Sequence, residues 1–508
     1  MPSGGFSPKE ARRAAIALGF FTIVAQAALL REFLVLFRGS ELALGAFYAA
    51  WFLAVATAAA AARRSVAVRR AASRWAREML ALYPVGAALG LGLLAGARTL
   101  AGVPPWAPVP PGVIVAGGVV AALPVGAVTG MLFPALCEAV AADPRAGAAT
   151  GYTFEAAGAI AGGLAASGAF LAGLDGPATI ALAGLCTSLL ALPWRRGIGM
   201  HDRWATLLAS LACLSLLVPP CGPAVRGALS DLRLRANLAG AQRLDETSTP
   251  YGLVTTARFQ AATVVLVDQA VILSAPPGPD VAVEAALLAV QPARRDRAVL
   301  LGMTRLPLAA ALCPAFREVE VVGPDAGAME RLAAAWESAA GPLPGNFRRV
   351  VEDPRARVRR AIEDGTRFDL VVVAVGEPRT LADNRLHTVE FHREVRRALA
   401  DGGVLASPFR AGENVMGPEV LRYARSMRAS MAEAFASLAV LPGDEALLLA
   451  STEPGRLAVD RASLQQRVRD LPPRAAGASA ASVAERARPD RAEWLKRQLE
   501  EPVAGEDL

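Results

Sequence analysis

Lysine is nearly absent from this chain of 508 residues: Lys9 and Lys496 stand alone, both close to the ends. That removes Schiff-base chemistry and a phosphate-loop lysine from consideration. Histidine is almost as scarce, and His201, His387 and His392 are too few and too badly spaced for a zinc site. The five cysteines show no paired spacing, with Cys137, Cys186, Cys213 and Cys221 in or beside apolar runs and Cys313 far from them. Neither a disulfide framework nor a metal knuckle follows from that pattern. Charge is short as well, at 19% of residues against 54% hydrophobic, which is far from the average soluble protein and points to burial in lipid.

The charge that is present is unevenly divided. Residues 1–221 hold 16 Arg or Lys against 9 Asp or Glu, the whole of the net charge of +7, while the rest of the chain holds 37 of each. The second half is therefore neutral, and no basic footprint for nucleic acid stands out.

Apolar stretches long enough to cross a hydrocarbon core of about 30 Å recur at 14–37, 42–62, 79–97, 112–136, 150–173, 177–194 and 204–221. We expect a bundle of about seven transmembrane helices, with six as the alternative count. The first stretch carries Gln26, Arg31 and Glu32 and leads straight into further spans, so it reads as a retained helix and not a signal peptide. The connection RRSVAVRRAASRWAR at 63–77 has six arginines, which places it and Arg12 and Arg13 on the cytoplasmic side. An odd number of spans then puts the second half outside the cytoplasm, whereas Arg226, Arg233, Arg235 and Arg243 after the last span argue for inside; the two signals conflict.

Ionisable groups at membrane depth are costly and default to functional hypotheses. The candidates are Arg31, Glu32, Glu41, Glu138 and Glu155. Glu155 leads, because GYTFEAAGAIAGGLAASGAF sets it one turn before Gly158, Gly162 and Gly163, a small-residue face that lets helices approach closely. Its plain reading is a packing role near a helix end. Arg31 and Glu32 read as the interfacial end of the first helix.

The stretch 219–249 loses its apolar continuity and alternates charge, as a linker with one short amphipathic helix does. Two β-rich runs, YGLVTTARF and ATVVLVDQAVILSAP, follow. Buried strands are then predicted at 298–303, 318–324, 348–353, 368–375 and 403–409, with helix-like segments between most of them. That order predicts a doubly wound, mostly parallel sheet with ligands at the C-terminal strand ends. The expected organisation is a transmembrane helical domain at 1–221, a linker at 222–248, a small β-rich element at 249–297, an α/β domain at 298–452 and a tail with a helical end at 453–508.

Several long strings carry a family likeness. TPYG at 249–252, DPRARV at 353–358, FDLVVVAVGEP at 368–378 and above all DNRLHTVEFHREVRRALADGGVLA at 383–406 resemble the membrane-fused branch of the spermidine synthase family. So do GENVMGPEV at 412–420, LPGDEALLLAS at 441–451 and PDRAEWLKRQLE at 489–500, and in the apolar half LLREFLVLFRGSELALG at 29–45 and GMLFPALCEAV at 130–140. The resemblance implies a Rossmann-type, methyltransferase-like α/β domain preceded by a small β element. It also implies aminopropyl transfer from decarboxylated S-adenosylmethionine, as co-substrate, to putrescine, with an acidic residue as general base.

The family pattern is broken where its chemistry resides. The glycine-rich turn is GMTRLP at 302–307, where Arg305 and Pro307 are expected to crowd the backbone approach that glycine permits. The ribose-binding acid falls on Gly323 with Asp325 nearby, the catalytic-loop aspartates fall on Val375, Gly376 and Glu377, the His-Glu pair is reduced to Glu284, and a tyrosine position is His387. Tyr251, Asp268, Asp353, Asn384 and Arg385 survive. By the resemblance, Asp353 aligns with the acid that meets the adenine amino group, though a strand-end Asp also commonly caps a turn. Glu377 is the remaining candidate base, against the plain reading of a solvated loop residue. Asp353, Asp325 and Tyr251 are the candidate cofactor contacts, Glu155 is the membrane candidate, and no metal ligand is expected.

The expectation is thus an inner-membrane, multi-pass, spermidine synthase-like protein with lost or altered activity, its α/β domain binding a ligand or partner. Its expected partners are the lipid bilayer, a nucleoside or polyamine ligand, and a second copy or a membrane protein, with no nucleic acid. The alternative is a membrane transporter or assembly factor with the second half as sensor.

Overall fold

The computed structural model describes residues 6–105, 107, 109–141, 143–191, 200–375, 378, 380–412, 415–443, 445–472 and 477–500. Two compact units divide the chain: Met1–Gln260 with Val267–Ala270, and Ala261–Leu266 with Val271–Leu508.

The first unit is helical. It runs through α1 (Pro8–Phe37), α2 (Glu41–Arg64), α3 (Val66–Arg74), α4 (Ala76–Ala95), α5 (Ala97–Leu100), α6 (Pro111–Val140), α7 (Pro144–Leu171), α8 (Gly176–Ala191), α9 (Met200–Leu217) and α10 (Cys221–Asn237), and ends in β1 (Gln242–Ser248) and β2 (Leu253–Phe259). Helix starts follow local chemistry: Ser7 and Glu10 form a capping box at α1, with Pro8 in its first turn. Each of the seven apolar stretches contains a helix, but among the described residues five helices, α1, α2, α4, α6 and α7, are long and apolar enough to cross a membrane. The count rises to six if α9 and α10, bent by 72° at their break, form one span. The expected seven are not confirmed: α8 is described over 16 residues, about 24 Å at the helical rise, and residues 192–199 after it lie outside the described residues.

The core of this unit is centred on α1, whose Phe21, Leu29 and Phe33 are wholly buried. Backbone contact between α1 and α7 is close. A Cβ on Gly158 would lie 2.0 Å from the Ile16 carbonyl oxygen, one on Gly162 2.4 Å from that of Phe20, and one on Gly19 2.0 Å from that of Glu155. The small-residue face read in the sequence is thus a packing seam. A buried hydroxyl cluster joins three helices, with Tyr83 of α4 bonded to Thr22 of α1 and Thr129 of α6.

The second unit is α/β. Its elements begin with β3 (Ala262–Val267), β4 (Ala270–Ala275), α11 (Asp280–Ala289), β5 (Arg297–Leu301), α12 (Leu306–Leu312), β6 (Glu318–Gly323), α13 (Ala326–Ala340), β7 (Phe347–Val351) and α14 (Pro354–Glu363). They continue with β8 (Phe368–Val373), α15 (Leu381–Asn384), α16 (Val389–Ala398), β9 (Leu399–Arg410), α17 (Pro418–Ala432), β10 (Ser437–Leu441), β11 (Glu445–Ser451), α18 (Arg461–Arg469), α19 (Ala480–Glu485) and α20 (Pro489–Glu500). The five predicted strands appear as β5 to β9. The sheet order is β10-β11-β9-β8-β5-β6-β7, parallel from β9 to β7 and antiparallel at β11 and β10. This is the α/β arrangement expected of a methyltransferase-like domain. β8 is buried along its whole length, as a strand covered on both faces must be.

Buried polar pairs lock the frame. The Glu320 carboxylate accepts two hydrogen bonds from Arg357, at 2.9 and 3.0 Å, and Asp369 accepts from the backbone of Asp296 and Arg297 at 2.7 and 2.9 Å. The Gln291 side chain, wholly buried, exchanges bonds with both backbone groups of Ala458 and so pins the C-terminal tail to the end of α11. No sequence spacing signals these pairs, because their members lie on different elements.

Candidate functional site

In an open parallel sheet the ligand crevice lies outside the carboxyl ends of the strands, where the strand order reverses. Here the chain runs β5, β6, β7 to one side and β8, β9 to the other, so that point lies between β5 and β8. Gly302 follows β5 with φ 128°, which glycine adopts without steric cost, and a Cβ there would lie 2.3 Å from the Ala374 carbonyl oxygen. Two residues on, Thr304 donates to that same oxygen from its backbone N–H, at 3.3 Å, and from its hydroxyl. The turn after β5 is therefore tied to the end of β8 across the switch point. Met303 fills the neighbouring space: a Cβ on Gly323, at the end of β6, would come within 2.3 Å of its Cγ.

Arg305 and Pro307 do something other than crowd this turn. Pro307 sits in the first turn of α12, where a missing N–H costs nothing. Arg305 caps that helix and turns its guanidinium away, to Glu284 at 2.7 Å and Glu445 at 2.5 Å. Burial pushes the Glu284 carboxyl above its ordinary range even though Arg305 pulls it down. The residue left from a His-Glu pair is thus held in an ion-paired cluster.

The two aspartates near the strand ends are spent on helix caps. Asp325 is 3% exposed and accepts from the Ala328 N–H at 3.0 Å at the start of α13. Asp353 accepts from the N–H groups of Arg355 and Ala356 at the start of α14, each at 3.0 Å, and its other oxygen is paired with Arg385. The arginines around it are likewise committed: Arg355 and Arg359 to Glu394, Arg360 to Glu352. Burial alone would raise the Glu394 carboxyl, but its two guanidinium partners outweigh that and hold it below its ordinary value. Glu377 lies outside the described residues. Tyr251 belongs to the first unit, in the turn between β1 and β2, and is 64% exposed. At the switch point itself, Met303 lies against Gly323 and Thr304 is bonded to the Ala374 carbonyl.

A ligand-sized space lies elsewhere on the same edge of the sheet. A cavity of about 930 Å³ is lined by Asp280, Glu284, Ala411, Glu445, Arg486 and Trp494, among others, between α11, the start of β11 and the α19–α20 segment. Its volume is within the usual range for small-molecule sites. Sequence reading missed it because the tail that forms one wall carries no motif chemistry.

His387 and His392, too badly spaced in sequence for a zinc site, are both buried and both meet side chains of α17. Nδ1 of His387 lies 3.4 Å from the Tyr423 hydroxyl, and Nδ1 of His392 lies 3.2 Å from that of Ser430. Ser430 also donates to the His387 carbonyl at 3.0 Å.

In the first unit Arg31 and Glu32 serve different ends. Arg31 donates to the Ser248 hydroxyl at 2.9 Å and to the carbonyls of Thr249 and Gly252, fixing the TPYG turn. Asp268 supports the same turn by accepting from the Leu253 N–H at 2.9 Å. Glu32 is ion-paired with Arg233, which also reaches Glu246 at 3.2 Å. Arg233, counted in the sequence as a cationic flank, is only 7% exposed. Glu155 is partly buried on α7, and among the described residues no arginine pairs with it. No group of three or more potential metal ligands occurs among the described residues.

Comparison with known proteins gives a limited result. No family model matches the chain, and no curated protein sequence matches it. Among solved structures, the chain is similar to the spermidine synthase from Thermotoga maritima, at 12% identity over 51% of this chain and 87% of that one, with a TM-score of 0.39. It is also similar to a spermidine synthase in complex with the transition state analogue AdoDATO, at 12% identity over 51% of this chain and 88% of that one, with a TM-score of 0.41. A probable spermidine synthase from Corynebacterium glutamicum is 16% identical over 53% of this chain and 99% of its own, with a TM-score of 0.36.

Proposed function

We propose that this chain is an inner-membrane protein of spermidine synthase ancestry whose α/β unit has lost aminopropyl transfer and instead binds a ligand or partner. The observation that carries the reading is the occupied turn after β5. Thr304 ties the turn after β5 to the Ala374 carbonyl at the end of β8, while Met303 occupies the space against Gly323. A nucleoside held by its backbone and ribose needs that space, because the glycines of such a turn exist to let it approach. The commitment of Asp325 and Asp353 to helix caps supports the same conclusion. The cavity beside Glu284 and Trp494 supplies the alternative ligand position.

The test is turnover. The purified full chain in lipid nanodiscs, given decarboxylated S-adenosylmethionine and putrescine, is expected to release no methylthioadenosine above a protein-free control. Release above that control, lost in the Asp353→Ala variant, would overturn the proposal.

A further inference from the structure

The connection between α2 and α4 carries five arginines without a carboxylate partner among the described residues. Arg63 and Arg64 form the last turn of α2, and Arg69, Arg70 and Arg74 lie on α3, which begins where Ser65 accepts the Val68 N–H at 3.3 Å. Arg77 is paired with Glu10 at 3.6 Å, but among the described residues no carboxylate pairs with the other five arginines. At 3.6 residues per turn Arg70 and Arg74 stack on one face, with Arg69 beside them, and Val68 and Ala72 lie on the opposite face. That opposite face is the one packed on the protein, since Ala72 is 2% exposed.

Apolar groups flank the arginines. Val66 and Trp75, at the two ends of α3, are 49% and 47% exposed, and the Arg74 guanidinium lies 5.3 Å from the Trp75 ring. A helix with a cationic face and exposed apolar ends, joined at both ends to helices long enough to span a bilayer, lies at the depth of lipid headgroups. A solvated charge run needs neither the exposed tryptophan nor the position between two spans.

We infer that α3 and the end of α2 form a docking face for the phosphate headgroups of acidic phospholipids. The five arginines supply charge complementarity, and Val66 and Trp75 anchor the face in the interface. This rests on the chain spanning a membrane and is independent of what the α/β unit binds. Each arginine near an acidic membrane surface changes local partition by about fivefold, so a few acting together suffice for selective retention.

The test uses the full chain in nanodiscs of phosphatidylcholine with about one fifth phosphatidylglycerol, and reads by native mass spectrometry the lipids that stay bound on release. Wild type is expected to retain phosphatidylglycerol at least about threefold above its share of the mixture. The enrichment is expected to fall away in R63Q/R64Q/R69Q/R70Q/R74Q and to persist when the same five positions are lysine. Wild-type retention that merely follows the mixture overturns the inference, whatever the variants do. So does equal enrichment in wild type and the glutamine variant.

Discussion

His392 shows how a single residue acquires a role that its neighbours in sequence do not announce. It is wholly buried on α16, with one ring nitrogen on Ser430 and the other without a partner among the described residues. Burial pushes its pKa down from 6.5 to about 4, with His387 adding to the effect and the Ser430 hydrogen bond opposing it. The folded pKa is thus below the unfolded one, so the stability linked to this group is fully present above about pH 6.5 and is lost as pH falls toward 4. A shift of that size corresponds to roughly 3 kcal/mol. In urea titrations the wild-type midpoint should fall more steeply across this window than that of His392→Leu, whatever the variant's absolute stability; parallel slopes would contradict the assignment. At this scale the sequence was only partly legible. The break in the glycine-rich turn was visible, but Pro307 was misjudged, because a proline that obstructs a loop is harmless in the first turn of a helix. The same holds for Arg233, whose partners lie on elements far away in the chain.

At the scale of elements, periodicity carried more. The runs of Val and Leu that predicted five buried strands are β5 to β9, although β7, at the sheet edge, buries only Phe347, and the small-residue face of α7 is the seam with α1. Length limited the reading of the membrane half: among the described residues α8 covers 16 apolar positions, and α9 bends into α10. The α1–α7 seam gives a sharp comparison between two glycines on α7, Gly158 and Gly163. A Cβ at Gly158 would meet the Ile16 carbonyl oxygen at 2.0 Å, whereas one at Gly163 lies only in ordinary contact, 3.7 Å from Ile23 Cγ2. Gly162 sits next to Gly163 but faces the seam, as its own contact with Phe20 requires. Gly158→Ala should therefore destabilise the detergent-solubilised protein by about 1–3 kcal/mol, the usual cost of overpacking, and Gly163→Ala by much less. Thermal unfolding of the two variants decides it, and equal midpoints would show that the seam is not tight.

For the whole molecule, the sequence indicated an apolar helical part followed by an α/β part, and the structure has both. It did not indicate that Thr304 reaches the carbonyl at position 374 or that Met303 meets Gly323, because neither contact is local in the chain. The central claim of the proposed function is that these contacts exclude a nucleoside from the switch point. Calorimetric titration of the full chain in nanodiscs with methylthioadenosine and with decarboxylated S-adenosylmethionine, beside Asp353→Ala, tests it most directly. The account predicts no saturable binding at millimolar ligand; saturable binding abolished by Asp353→Ala would contradict it.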